Sequence, residues 1–351
     1  MKILIVVPSF KIIGGVSNHY LGLDQYWTNE VIYSYQGKRP RIPAIITFVP
    51  DLFRYVYELL FKDSDIVIIN PSLTSYLLIR DGIYLLLAKI CRKKVITFIH
   101  GWHECVAESI IKRPKLFRWV YGKSTFVYCL YSKFRDSLKL MGLKCPIVLT
   151  TTKVPDALVS NFDPNYRTGS IKKLLFLARI EKDKGVFIVL EMFELLKRRY
   201  PYLTLTICGT GSVEKEAIEY VKKFKLSDVY FTGSVSGKSL IDSFTQSDLY
   251  ILPTLREGMA TSVLEAMAFG LPVISRPVGG VNDFFEQGKM GYLIESLTPS
   301  EYVKIVDSLI ENPDLVKSIS INNYKYARTH FYASSVCAAI ERDIKKYCKI
   351  N

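Results

Sequence analysis

The chain is punctuated by short, mainly apolar runs. In its first half they fall at Lys2–Pro8, Asp65–Asn70, Lys94–His100, Thr125–Leu130 and Pro146–Leu149. In the second they fall at Lys173–Ala178, Leu203–Cys208, Val229–Thr232, Leu249–Pro253, Pro272–Ser275 and Gly291–Ile294. A strand that is apolar throughout is buried on both faces, which implies a parallel sheet covered by helices. Helical periodicity fills the intervals, so the pattern predicts an α/β chain with two doubly wound, Rossmann-like domains. Residues 150–171 show no clear period and hold Pro155, Asn161, Pro164, Asn165 and Gly169, so they read as a linker. The expected domains are 1–160 and 166–330. The stretch Ala333–Tyr347 is an amphipathic helix by spacing, and residues 331–351 are expected to return to the first domain. In open parallel sheets ligands bind beyond the carboxyl ends of the strands, so the loops after strands should carry the chemistry around a cleft.

Length and composition agree with this reading. The 351 residues suit two domains, and 49% of them are hydrophobic against 23% charged. The longest apolar runs, such as Ile83–Leu87, are too short to cross a bilayer. The opening MKILIVVPSF lacks the long apolar core and cleavage site of a signal peptide and reads as a buried first strand, so a cytoplasmic protein is expected. The seven cysteines have no C-x-x-C spacing, which argues against zinc and against a disulfide framework. The net charge of +14 calls for anionic partners. No nucleic-acid module is present, which leaves phosphorylated substrates and an anionic membrane face. Lys112, Arg113, Lys115, Phe117, Arg118, Trp119, Tyr121 and Lys123 crowd one helical segment, Lys38, Arg39 and Arg41 form another cluster, and Phe53, Tyr55, Tyr57 and Phe61 recur at helical spacing. Basic and aromatic residues together favour an anionic bilayer surface, although about half of such aromatics should be core.

The richest segment runs from Leu252 to Ser275. A strand ends at Pro253, a loop presents Glu257 and Gly258, and a helix starts near Thr261 or Ser262 and stops at Gly270. The amides of Met259, Ala260 and Thr261 and the helix dipole make a diphosphate site. Glu257 and Glu265 can both accept from vicinal sugar hydroxyls. Ser262-x-x-Glu265 also fits a capping box, which needs no ligand. A second group is Arg179 and Lys184 in FLARIEKDKG, two cations after a strand that can clamp phosphates or simply form a solvated loop. Gly209, in CGTG, reads as a tight strand-to-helix turn; Gly14 and Gly15 read as a turn or as a close approach of backbone to ligand. His100 ends a strand at the ligand-binding edge. His103 enters the following helix, His19 sits on a helix face and His330 on the surface. Asp63-Ser64-Asp65 has the form of a metal-binding D-x-D but precedes a strand, at the wrong end of the sheet, so no metal site is expected.

Glu257 and Glu265, set in REGMATSVLEAMAFGLPVIS and followed by VGGVNDFFEQGKMGYLI, resemble the E-x7-E signature of glycosyltransferase family 4, whose fold is GT-B. The resemblance is strong over about 172–310 and weak before it. It implies that Glu265 binds the donor ribose and that Glu257 lies near the donor sugar and phosphate. Arg179 and Lys184 match the family's phosphate pair. Gly209 corresponds to a glycine near the nucleotide, Val235 in FTGSV to the base-binding loop, Gly15 to a donor contact, and His100 to a histidine beside the transferred sugar. The implied activity is metal-independent, retaining transfer from a UDP- or GDP-sugar, with no cofactor beyond that donor. The acceptor would be a glycan or polyprenyl-linked molecule at the inner face of a bacterial membrane, in surface polysaccharide synthesis. The second half would hold the nucleotide and the first half the acceptor. Retention without an evident nucleophile suits a front-face displacement. A non-catalytic sugar- or lipid-binding partner, or an epimerase or phosphorylase on the same fold, are the rival readings.

Overall fold

The computed structural model describes residues 1–12, 14–37 and 44–349, so the Lys38, Arg39 and Arg41 cluster lies outside the described residues. The chain forms two compact units: Met1–Thr152 together with Ala333–Asn351, and Lys153–Tyr332.

In the first unit the chain runs β1 (Lys2–Pro8), α1 (Gly15–Leu23), β2 (Glu30–Gln36), α2 (Ala44–Phe61), β3 (Ile66–Ile69), α3 (Ser75–Ile90), β4 (Lys94–Ile99), α4 (Glu104–Lys112), α5 (Lys115–Tyr121), β5 (Phe126–Cys129), α6 (Ser132–Leu140) and β6 (Ile147–Leu149). The six strands pair in parallel in the order β2-β1-β3-β4-β5-β6. The strand order reverses between β1 and β3, which opens a crevice at their carboxyl ends. The runs 3–7, 66–69 and 95–96 are buried completely or nearly so, as their uniform apolarity requires. The apolar-run criterion misses β2. It is an edge strand, and its sequence EVIYSYQ mixes exposed and half-buried positions because only one neighbour covers it.

The second unit runs α7 (Asp156–Val159), β7 (Lys173–Leu177), α8 (Val186–Arg199), β8 (Thr204–Cys208), α9 (Glu214–Lys223), β9 (Val229–Gly233), α10 (Lys238–Thr245), β10 (Leu249–Leu252), α11 (Thr261–Ala268), β11 (Val273–Ser275), β12 (Gly291–Leu293), α12 (Pro299–Ile310) and α13 (Pro313–His330). Its sheet is also six-stranded and parallel, ordered β12-β11-β10-β7-β8-β9, with the reversal between β7 and β10. The final helix, α14 (Ala333–Cys348), belongs to the first unit. Its Glu341 carboxylate accepts from the amides of Thr28 and Asn29 and from the Thr28 hydroxyl, and Lys94 Nζ donates to the Cys348 carbonyl.

The expected linker is structured, and the boundary moves. From Lys153 onward the segment belongs to the second unit and contains α7, so residues 153–160 leave the first domain. Val154 donates its amide to the Phe331 carbonyl. Arg167 is buried, and its guanidinium donates to the carbonyls of Phe244, Ser247 and Phe269. Those carbonyls lie at the carboxyl ends of α10 and α11, where helices leave acceptors without internal partners. A fixed five-donor fork satisfies several of them at once. Four of the seven cysteines are buried, and none of the seven is bridged.

Candidate functional site

In the second unit the chemistry-bearing residues flank the β7/β10 reversal. The strand β7 ends at Leu177, and Lys184 closes a single 3-10 turn before α8. Gly185 adopts a left-handed φ of 79°, and a Cβ there would lie 2.4 Å from the Pro253 carbonyl oxygen. Glycine therefore lets the loop after β7 press against the loop after β10. The Leu255 amide and Thr254 hydroxyl both donate to the Asp183 carbonyl, tying the two loops together. As a result Lys184, only 8% exposed, places Nζ 2.6 Å from Glu257 Oε1 and 3.2 Å from the Arg256 carbonyl. Lys184 and Glu257 thus form one ion pair across the reversal.

Arg179 projects into an open cavity of about 740 Å³ that it shares with Lys182 and Arg256. Glu181, on the same rim, accepts from the Ser212 hydroxyl and amide, which hold its carboxyl below the usual range. The sequence reading missed Arg256, although it stands directly before Glu257. Nothing in its spacing separates it from an ordinary loop cation; the cavity wall does. Met259 and Ala260 lead into α11, whose first-turn amides, Thr261 among them, lack helical partners.

Glu265 lies one turn further along α11, half-buried. The capping-box alternative is wrong: the residue before the helix is Ala260, no side chain caps it, and the Ser262 hydroxyl accepts from Tyr250 at 2.7 Å. With Ser262 drawn onto β10, Glu265 is not committed to a cap. Burial pushes its pKa up to about 7, and nearby Lys153 opposes the shift. Burial also lowers the Lys153 ammonium. Raising a folded-state pKa means that protonation stabilises the fold, so this contribution is full below about 4.5 and is lost as pH rises through about 7. A hydroxyl ligand needs the opposite, ionised form. A ligand whose hydroxyl donates to Glu265 should therefore bind more tightly as pH rises, by up to tenfold per unit below about pH 7, with its affinity levelling off above it. Titrations across that range should lose the pH dependence in Glu265→Gln. A flat wild-type profile would remove Glu265 from the binding site.

Gly209 has a φ of 133°, and a Cβ there would sit 1.9 Å from the Ala178 carbonyl oxygen, so the tight-turn reading holds. Its amide donates to the Gly233 carbonyl, and the Thr210 and Ser234 hydroxyls lie 3.3 Å apart. The half-buried Val235 follows on that second loop. The carboxyl ends of β7, β8, β9 and β10 thus contribute Arg179 and Lys184, Gly209, Val235, and Glu257 to one edge of the sheet.

In the first unit His100 follows β4, beside the β1/β3 reversal. Asn70, after β3, donates through Nδ2 to the Val6 carbonyl at 2.9 Å. Its Oδ1 therefore accepts from the Tyr20 hydroxyl at 2.8 Å and from His100 Nε2 at 3.0 Å. That fixes the proton of neutral His100 on Nε2. Burial, and His19 beside it, lower the His100 pKa well below the ordinary value, so the ring is neutral near pH 7. His19 is a buried member of this aromatic group, with its ring 5.4 Å from that of His100. His103 precedes α4 and is exposed, and His330 closes α13 against Tyr326. Gly15 opens α1, with nothing within 4 Å of a Cβ placed there, and Gly14 is extended at a φ of −170°. Neither conformation demands glycine. Asp65 accepts from the Lys2 amide at the amino-terminal edge of the sheet, away from these loops.

Comparison with known proteins places both units. Residues 161–326 match the family described as Glycosyl transferases group 1. An uncharacterized glycosyltransferase of Haemophilus influenzae is 32% identical over 151 residues, covering 42% of each chain. A putative colanic acid biosynthesis glycosyltransferase of Salmonella typhimurium is 23% identical over 58% of this chain and 52% of its own length. The chain thus spans about half, or less, of these curated relatives. The crystal structure of Anabaena Alr3699/HepE in complex with UDP and glucose superposes with a TM-score of 0.71 at 16% identity, covering 99% of this chain and 100% of that one. The architecture is the GT-B fold of glycosyltransferases, two Rossmann-like domains, and the segment that matches the group 1 family lies in the second of them.

Proposed function

We propose that this chain, a glycosyltransferase homologue in fold and in its matched domain, is a retaining enzyme of family 4 type that uses the E-x7-E pair Glu257 and Glu265. It takes a sugar from a UDP- or GDP-sugar and moves it to a glycan or polyprenyl-linked acceptor, in bacterial surface polysaccharide synthesis at an anionic membrane face. The observation that carries this reading is the Lys184–Glu257 pair at the β7/β10 reversal, beside a cavity lined by Arg179 and Arg256. The Salmonella relative named for colanic acid and the Anabaena complex titled with UDP and glucose support the acceptor and donor classes.

In this reading Arg179, Lys184 and the first-turn amides of α11 hold the two phosphates. The charge that builds on the leaving diphosphate meets donors already in place, so no reorganisation is needed at the moment of reaction. Glu257 and Glu265 accept from sugar and ribose hydroxyls. Gly209 and Val235 give the nucleotide a close backbone approach. With cations and a helix dipole balancing the diphosphate, the reading needs neither metal nor cofactor. Neutral His100, held as a donor toward Asn70, keeps its Nδ1 lone pair as an acceptor for a ligand hydroxyl at the carboxyl edge of the first unit's sheet. The front-face route breaks the sugar–phosphate bond as the acceptor oxygen attacks from the same side. The acceptor proton passes to the departing phosphate oxygen.

A thermal-shift screen of UDP- and GDP-sugars tests this. At 100 times its Kd, the true donor should add about 2.7 kcal/mol of stability. The same donor should then be consumed when acceptor lipid is supplied. If no member of the panel raised the melting point or was turned over, a non-catalytic sugar-binding role would replace the enzyme.

A further inference from the structure

The helices α2, α3 and α5 form one layer on the first unit. Tyr55 and Tyr84 pack with ring centroids 4.7 Å apart across α2 and α3. The Tyr121 hydroxyl of α5 donates to the Leu78 carbonyl of α3 at 2.7 Å. Gly82 brings these two helices close enough that a Cβ would meet Val120 at 3.1 Å. The outward side of this layer is unusual. Among the described residues, and apart from the part-exposed Arg54, every exposed side chain of α2 is apolar or aromatic: Ile46, Val49, Pro50, Phe53, Tyr57, and the pair Leu60 and Phe61. Among the described side chains of α3 the exposed ones are Tyr76, Ile79 and Ile90, again apolar or aromatic. The exposure is large, 74% for Phe53, 68% for Phe61 and 65% for Ile79. The two acids of α2, Asp51 and Glu58, are turned inward and pair with Arg54, whose side chain stays 37% exposed. Single exposed apolar residues are ordinary, but an apolar face across two neighbouring helices marks a binding surface.

The third helix shows what the surface meets. Lys115, Leu116, Arg118, Trp119 and Lys123 line a cavity of about 780 Å³, with Lys123 Nζ 5.4 Å from the centre of the Trp119 ring. Leu116 and Trp119 are exposed, and Lys112 and Arg113 stand at the preceding helix end. No acid is exposed on α2, α3 or α5 among the described residues. Apolar side chains bordered by cations complement one surface above others: the headgroup boundary of an anionic bilayer. A second copy of this chain would bring the same cations against each other.

We infer that α2, α3 and α5 are the membrane-docking face, with Phe53, Tyr57, Phe61 and Ile79 entering the acyl boundary while the α5 cavity takes an anionic lipid phosphate. The inference rests on the membrane reading above and assigns it to one layer. It also divides the aromatics that the sequence left unassigned. Tyr55, Phe117 and Tyr121 are core, whereas Phe53, Tyr57, Phe61 and Trp119 are free for contact.

The test is flotation of the full chain with vesicles of phosphatidylcholine alone or mixed with phosphatidylglycerol, at low and high salt. Wild type should float only with phosphatidylglycerol and should release as salt rises. Phe53→Ser with Phe61→Ser should weaken flotation about tenfold or more, since each removes an aromatic from the boundary. Lys115→Gln with Arg118→Gln should weaken it in proportion to lost charge, about fivefold per cation. Melting point and nucleotide-sugar binding should match wild type in both, because these side chains hold nothing inside the fold. Wild type that ignored anionic vesicles would overturn the membrane reading and this face together. Wild type that floats beside serine variants that float equally well would overturn the face alone. A dimer in light scattering that the serine variants split, without change in flotation, would make the partner a second copy and also overturn it.

Discussion

Lys184→Met should lower transfer by about 10²–10³-fold, the usual cost of removing one donor aimed at a charge that develops in the transition state. The residue is nearly buried, and its ammonium has two acceptors, Glu257 Oε1 and the Arg256 carbonyl. The methionine keeps most of the stem volume and removes the charge. Glu257 is then left with only a 3.5 Å contact from Thr254 and must find water through its partial exposure. Some stability should be lost too, less than the ~3–5 kcal/mol of a fully buried pair broken on one side. Adding Glu257→Gln to Lys184→Met should recover that stability and recover no transfer. The comparison separates a phosphate clamp from a structural tie, with kcat/KM and denaturant midpoints measured on wild type, Lys184→Met and the double variant. Transfer near the wild-type rate in Lys184→Met would end the proposed role.

Arg167→Ala should cost about 3–5 kcal/mol of stability, the largest effect expected away from the site. One guanidinium serves carbonyls at the ends of two helices, and alanine would leave the Ser247 and Phe269 carbonyls without this donor and the Phe244 carbonyl with only a long bond from the Ser247 amide. Burial already pulls the group down to about 10, so it remains charged at neutral pH. Arg167→Lys should recover little, because a single ammonium cannot reproduce the fork. All three tryptophans, Trp27, Trp102 and Trp119, lie in the first unit. Circular dichroism should therefore show an early transition in Arg167→Ala, with tryptophan fluorescence changing later. Coincident, unshifted transitions would remove the clamp. Because α11 carries Glu265 and ends at this clamp, donor affinity should weaken in the same variant.

Some of the site was legible because it is written locally. The start of α11 near Thr261 follows from a strand, a loop and a helical stop in one continuous run. Gly209 needs its left-handed conformation within a single turn. Other features were not legible for a common reason. Arg256 and Arg179 line one cavity although 77 positions separate them in the sequence. The Ser262 hydroxyl had a cap available by spacing, yet Tyr250 competes for it from a neighbouring strand. The arginine that holds two helix ends sits in a stretch whose lack of period read as linker. Its partners are carbonyls, which leave no mark on side-chain pattern.

By itself the sequence determined that both halves are parallel sheets under helices, since uniformly apolar strands are stable only when covered on both faces. It also determined which loops carry acids, cations and free amides. Only the tertiary structure decided which loops are neighbours, because strand order places β7 beside β10 and β1 beside β3. It decided likewise which apolar helix positions meet the core and which meet water. Helical periodicity puts Tyr55 and Tyr57 on opposite faces, but only the packing of neighbouring elements decides which of the two is covered.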